Sequence, residues 1–442
     1  MFDNAAESYP AAAGAEMPAG PLPPRPLRWL FLDLNSYFAS VEQQVQPELR
    51  GRPVLVAPVD SDTTVAIAAS VEAKRFGIST GTPVWEARRR CPEIVVTLAR
   101  HDRYVEFHEA IVAEVWRHIP VTHICSIDEV ACRLLDNENS VATATALARR
   151  IKAGIRAHVG ECLTSSVGIA PNRLLAKLAS DMMKPDGLVV LTGDQLPHAL
   201  FHLPLTDIAG VGPRMGRRLA RAGVNDIRQL CALSPRAAGA AWGGTHGDRL
   251  WYQLHGFDLP DIASQTRTIG HSQILSPSRR GFAGARLTAR RLAVKAASRL
   301  RRKGYSTGLV TLGARFEQDK ARWAAEVKLA ATQDNFVILA ALEPLLDALH
   351  ADGARRPGGC MLRQIGITLS DLRPLDGAQP GLFDAPAGTQ ARGLALSRAM
   401  DRINARFGRN AVSVGPLHGE RLDAVGAKIA FGRIPELSEF HE

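Results

Sequence analysis

Arg28-Trp29-Leu30-Phe31-Leu32-Asp33-Leu34-Asn35 is an apolar run that one carboxylate interrupts near its end. A short apolar run between polar residues predicts a buried strand. Asp33 in such company is costly unless it is paired or holds a cation. The same arrangement returns downstream, where Asp128-Glu129 breaks the run Ile124-Cys125-Ser126-Ile127. Neighbouring strand residues point to opposite faces, so Asp128 and Glu129 share a site only at a strand end or turn. Their oxygens suit Mg²⁺, which takes carboxylates, water and substrate phosphates. Two such ions on three acids would suit in-line phosphoryl transfer. Three strand-end acids making salt bridges or caps is the other reading, and spacing alone leaves both open.

Outward from this strand, the chain alternates strands and helices to about residue 190. Val54–Ala57 and Leu163–Ile169 read as strands, and His123–Leu135 as a strand around the acidic pair. Tyr104–His118, Ala142–His158 and Asn172–Met183 carry helical periodicity, and Ala66–Arg75 is a further helix candidate. Lys184-Pro185-Asp186-Gly187 is a turn signature. Short helices follow over 191–257, then a linker over 258–268. Strands and the long helical patterns Ala285–Lys303 and Asn335–His350 fill 269–372. The Pro- and Ala-rich residues 1–27 and the Pro/Gly-rich residues after Leu372 read as flexible tails.

Composition narrows the class. The 442 residues allow about two to four domains. Net charge is +10, which points to a polyanionic partner. No run of about 18 apolar residues occurs, and the N-terminus has no basic start leading into an apolar stretch. The six cysteines form no CxxC pair, so a cytoplasmic, reducing location is expected. His198 and His202 have metal-like spacing but no third ligand nearby, and read as ordinary residues.

Four segments together resemble the Y family of translesion DNA polymerases. They are Asp33-Leu34-Asn35-Ser36-Tyr37-Phe38-Ala39-Ser40-Val41-Glu42, Ser126-Ile127-Asp128-Glu129, Ser166-Val167-Gly168-Ile169-Ala170-Pro171-Asn172 running on to Asp181, and Lys184-Pro185-Asp186-Gly187. The resemblance runs from about Trp29 to Leu372. It implies an α+β right-hand polymerase. Its parts would be a mixed α/β palm (28–36 and 102–190), small fingers (37–101), a helical thumb with a helix-hairpin-helix (191–257) and an α/β little finger (269–372). It implies translesion synthesis by nucleotidyl transfer from dNTP to a primer 3′-hydroxyl. Asp33, Asp128 and Glu129, with the Leu34 carbonyl, would hold two Mg²⁺. Phe38 matches the steric gate that selects deoxyribose, with Tyr37 beside it, and Lys184 matches a triphosphate contact. The implied partners are primer-template DNA, dNTP, the sliding clamp and accessory subunits of the SOS response.

The fingers depart from the commonest family pattern, Asn-Tyr-x-Ala-Arg. Ser70-Val71-Glu72-Ala73-Lys74 stands there. Val71 has no side-chain donor, and Lys74 meets the triphosphate without the bidentate Arg fork. Val65 and Ile67 match the roof over the nascent base pair. These fingers and the C-terminal tail look most like the polymerase V catalytic subunit, and the rest is polymerase IV-like. A non-catalytic relative that binds the clamp and other partners is the alternative, although such relatives typically lack the metal acids.

Gly210-Val211-Gly212-Pro213 looks like the hairpin of the helix-hairpin-helix, whose backbone would meet a phosphate at Gly210 and Gly212. Residues 270–309 carry ten Lys/Arg and no acid. Arg279, Arg280, Arg286, Arg290, Arg291, Lys295, Arg301 and Arg302 are the expected duplex-backbone contacts. Phosphate contact carries no sequence information, as a polymerase needs. Gln379-Pro380-Gly381-Leu382-Phe383 resembles the Gln-x-x-Leu-Phe peptide that binds the sliding clamp, through Gln379, Leu382 and Phe383.

Overall fold

Trp29–Leu34 forms strand β1, buried along its whole length as its apolar run requires. The computed structural model describes residues 25–375 except 263–265 and 319–321, residues 387–407 and 411–414, and single positions between 429 and 440. After β1 come α1 (Tyr37–Val45), β2 (Val54–Ala57), β3 (Ala68–Ala69), α2 (Val71–Lys74), α3 (Val84–Arg90) and β4 (Val95–Leu98). Then follow α4 (His101–Trp116), β5 (Val121–Ile124), β6 (Glu129–Arg133), α5 (Val141–His158), β7 (Ser165–Ala170), α6 (Arg173–Met182) and β8 (Leu188–Val190). The short helices α7 (Pro213–Arg221), α8 (Ile227–Ala232), α9 (Pro235–Trp242) and α10 (Thr245–Leu254) complete this part. Further on lie β9 (Ile269–Ile274), α11 (Phe282–Arg302), β10 (Tyr305–Phe316), β11 (Arg322–Thr332), α12 (Asn335–Ala354), β12 (Leu362–Pro374) and α13 (Ala387–Phe407).

The chain divides into two units, Met1–Asp261 with Gly426–His441, and Ile262–Val425. In the first, a five-stranded sheet has the order β5-β6-β1-β7-β8, with β1 central and antiparallel to both neighbours. Alternation along β1 decides what covers each face. Leu30 and Leu32 join a core with Tyr104, Ile111, Leu147 and Ile151 of α4 and α5. Trp29 and Phe31 join one with Leu175 and Leu178 of α6 and residues of the short helices α7, α8, α9 and α10. Burial of each such side chain contributes about 1.5–3 kcal/mol. A smaller sheet, β3-β2-β4, has its own core around Leu55, Ile78, Val84 and Ile94.

In the second unit, α11 and α12 pack on one face of the antiparallel sheet β11-β10-β12-β9. Val310, Leu312 and Ala314 point into that core, and the alternate residues line the open face. Gly313 faces Gly366 and Ala324 across the ladders, so the open face is flat there.

Four expectations change. The helix expected over Ala66–Arg75 is instead β3 followed by a single turn, α2. Ser70 decides this, because its N–H joins the Val54 carbonyl (2.9 Å) and its hydroxyl caps Ala73 N–H (3.2 Å). Order begins before residue 28, since Leu27 is buried and Arg25 stacks on Phe257. The linker expected at 258 starts fixed, because Asp258 accepts from Trp29 Nε1 (2.9 Å) and pairs with Arg133 (3.1 Å). Asp261 pairs with Arg173 (2.8 Å). The second tail is partly structured. Within it, α13 docks through Asp401 on Arg301, and Ile429, Ile434, Leu437 and Phe440 pack against the α4/α5 core.

Candidate active site

Asp33, one residue before the end of β1, is 5% exposed. Strand register sets it opposite Glu129, the first residue of β6, so both carboxylates share a sheet face. Asp128 lies in the turn before β6. Cys125 N–H and Ser126 N–H donate to the Glu129 carbonyl (2.9 and 3.2 Å), and Leu34 N–H donates to the Asp128 carbonyl (2.9 Å). His108 binds the Ile127 carbonyl at 2.8 Å and pins the turn from behind. The turn thus frees Asp128 and Glu129 from strict strand alternation.

Two ammoniums stand among these acids. Lys177 Nζ lies 2.5 Å from Asp33, 2.7 Å from Glu129 and 3.3 Å from Asp181. Lys184 Nζ lies 2.7 Å from both Asp33 and Asp181. Among the described residues no three acids, histidines or cysteines close on one point by themselves. Burial raises the pKa of Asp128, and the Asp33 charge adds to this while Ser126 opposes it. Burial also raises the pKa of Glu129 against the pull of Lys177. Burial works against the charge of Lys177, but Asp33 and Glu129 carry its pKa above the usual lysine value. Partial desolvation lowers the pKa of Lys74, an exposed residue of α2, with Lys184 adding to this and Asp33 opposing it.

Phe38 stands on the first turn of α1 and stacks on Tyr104 at 4.3 Å between ring centroids. The Tyr104 hydroxyl donates to Glu42 (2.8 Å), a fully buried carboxylate that also pairs with Arg100. Tyr37 donates to the Tyr104 carbonyl (2.6 Å). Val65 is exposed and Ile67 half-buried, with Ala66 turned inward between them.

Asn35 ties the first segment to the last. Its Oδ1 accepts from Asp186 N–H (2.8 Å), and its Nδ2 donates to Ser166 Oγ (3.0 Å). Lys152 holds the same turn through the Asp186 carbonyl (2.6 Å). These bonds fix where Lys184 leaves the chain. Sequence reasoning assigned no role to Lys177, Asp181, Tyr104 or Glu42. The i, i+4 spacing of Lys177 and Asp181, which puts both on one face of α6, was the available signal for two of them.

The nucleic-acid candidates divide. Gly210 has φ +92°, Val211 is buried, and Gly212 opens α7, whose Arg214 and Arg217 are exposed. On and just before α11, four of the expected cations are already in ion pairs. Arg286 and Arg290 meet Glu343, Arg280 meets Glu317, and Arg291 donates to Gln273. Arg301 is a correction. Its side chain is 5% exposed and grips Asp401 through two nitrogens (2.6 and 2.8 Å), so it serves packing. Arg302 is exposed, whereas Arg279 and Lys295 have neighbours of their own. Sequence reasoning passed over Arg315, Arg322 and Lys328, which are exposed on the open sheet face, with Arg315 opposite Arg322. Gln379, Leu382 and Phe383 lie outside the described residues.

Comparison with known proteins agrees with this geometry. Residues 32–181 match the impB/mucB/samB family, and residues 266–382 match its C-terminal domain. DNA polymerase IV of Moorella thermoacetica is 33% identical, over 87% of this chain and 94% of that protein. DNA polymerase IV of Alkalilimnicola ehrlichii is also 33% identical, over 78% of this chain and 94% of that one. A solved Y-family DNA polymerase chimera shares the fold with a TM-score of 0.65, at 23% identity over 78% of this chain and 99% of its own. The polymerase V likeness expected of the fingers finds no support in these relatives. The chain belongs to the impB/mucB/samB family, the Y family of DNA polymerases.

Proposed function

We propose that this chain extends a primer 3′ end with deoxynucleotides against a template strand, damaged positions included. One observation carries the reading: Asp33 and Glu129 lie opposite each other on β1 and β6, with Asp128 in the turn just before Glu129 and Lys184 paired to Asp33. The family implies a divalent metal, and the donor set fits one. The ligands are all oxygen, and burial and mutual repulsion raise the pKa of two of the three acids, the mark of a site short of positive charge. Asp33, Asp128, Glu129 and the Leu34 carbonyl would hold two Mg²⁺, which when bound supply an activated primer hydroxyl and a neutralised triphosphate.

The other residues bind and select. Lys184 and Lys74 attract the triphosphate as point charges. Phe38, braced by Tyr104, leaves no room for a 2′-hydroxyl, and Tyr37 fixes the backing. Val65 and Ile67 roof the nascent pair. Gly210 and Gly212 offer backbone N–H groups to DNA phosphates, and Arg302 and the open face with Arg315, Arg322 and Lys328 add cations. Arg279, Arg280, Arg286, Arg290, Arg291 and Lys295 contribute positive field, several of them through existing pairs. Gln379, Leu382 and Phe383 would engage a sliding clamp, which offsets a weak intrinsic grip by effective concentration. Expression under the SOS response and a cytoplasmic location belong to the same proposal. Primer extension with Mg²⁺ on intact and abasic templates tests it. Extension on both supports it, and no extension on either, with DNA binding intact, refutes it.

A further inference from the structure

Lys177 has no part in the reading above, yet it pairs with two of the three acids assigned there. Its ammonium bridges Asp33 (2.5 Å) and Glu129 (2.7 Å), two carboxylates on neighbouring strands. Among the described residues it and Lys184 share three acids, Asp33, Glu129 and Asp181. The Lys177 ammonium also lies over the Phe31 ring, 5.3 Å from its centroid, a cation–π contact beside the ion pairs. A second partner waits one helical turn on. Asp181, at 3.3 Å, is already within ion-pair reach of the same ammonium.

We propose that Lys177 is the built-in counter-cation of the site. It holds Asp33 and Glu129 in place, and a divalent cation displaces it toward Asp181. This rests on the metal reading given above. Without Lys177, buried Asp33 and half-buried Glu129 would repel each other across the β1–β6 ladder. With it, the strands can align before any metal arrives. A divalent cation that binds Asp33 and Glu129 must then evict an ammonium from the same oxygens. Lys177 therefore lowers metal affinity while it stabilises the metal-free fold, and Asp181 keeps the evicted charge paired.

The test is Mn²⁺ binding to the full chain without DNA or nucleotide, read by electron paramagnetic resonance, beside thermal unfolding. Lys177→Met should bind Mn²⁺ at least about fivefold more tightly than wild type, since an opposing charge is gone. Its melting temperature without metal should fall, and saturating Mn²⁺ should restore most of the loss. Unchanged or weaker Mn²⁺ binding would overturn the proposal. So would an equal loss of melting temperature with and without Mn²⁺, the sign of a mere packing strut. Should Lys177→Met not fold, acylation footprinting of wild type decides the matter. Lys177 should become more reactive on adding Mg²⁺, and unchanged reactivity would contradict displacement. Asp33→Asn separates the two readings. If it leaves Mn²⁺ binding at the wild-type level, the metal assignment fails and takes this proposal with it. If it weakens binding while Lys177→Met has no effect, only the role of Lys177 fails.

Discussion

Two charged regions looked alike in sequence, and the structure treats them oppositely. Three acids in the first half stood alone among apolar residues, and ten cations in residues 270–309 stood with no acid near them in sequence. On the palm, Asp33, Asp128, Glu129 and Asp181 share two lysines, so negative charge is left over. On and just before α11, Arg280, Arg286, Arg290 and Arg301 find Glu317, Glu343 and Asp401, which lie 37 to 100 residues away along the chain. Unmatched charge therefore marks the chemistry, whereas a charge run marks a site only after its long-range partners are known.

Within the palm the same contrast recurs. Glu114 is buried like Asp33 but has partners of its own, Arg117 (3.1 Å), His118 (3.0 Å) and His158 (3.1 Å). Burial pushes its pKa up, yet hydrogen bonds from His118 and His158 carry it below the ordinary carboxylate value. Asp128 shifts the other way.

These differences can be broken by substitution. Arg301→Ala should have the largest effect on stability, about 3 kcal/mol, because it strands Asp401 against the second unit. Chemical denaturation measures this, and a loss below about 1 kcal/mol would return Arg301 to the DNA-contact set. Glu114→Gln should cost about 2 kcal/mol at pH 7, by loss of a buried charged hydrogen-bond acceptor. The sign follows from a depressed acid pKa. The contribution is full above the unfolded carboxylate value near 4.5, and it is lost as pH falls through the lower folded value. Wild-type and Glu114→Gln stability should therefore converge in acid. Asp128→Asn without metal should instead raise the melting temperature slightly, by roughly 2–4 °C, because an uncompensated buried charge disappears. A lower value would mean that the site is not short of cations. Smallest is Arg322→Ala, which should leave stability unchanged and lower the log–log salt slope of DNA binding by about 1. An unchanged slope would remove the open sheet face from the interface.

Much of this was legible beforehand. The apolar run at β1, the helix periods of α4, α5, α11 and α12, and the acids themselves are local signals, and each formed close to where it was read. What stayed hidden was non-local. Ser70 broke a helix by bonding β2, sixteen residues back. Asp258 and Asp261 were read as linker because Trp29, Arg133 and Arg173 are distant in sequence. Lys177 lay inside a recognised segment, but only the register of β1 and β6 shows that it bridges two of the acids.

The central claim is that the unmatched acids of the palm, and not a paired arginine such as Arg301, carry the chemistry. Primer extension with Mg²⁺ and four deoxynucleotides tests it directly, with Asp128→Asn and Arg301→Ala compared at equal folded fraction. Asp128→Asn should fall by at least about 10³-fold, since metal charge stabilisation amounts to several kcal/mol, while Arg301→Ala should stay within about threefold of wild type. Wild-type extension that survives Asp128→Asn would contradict the account.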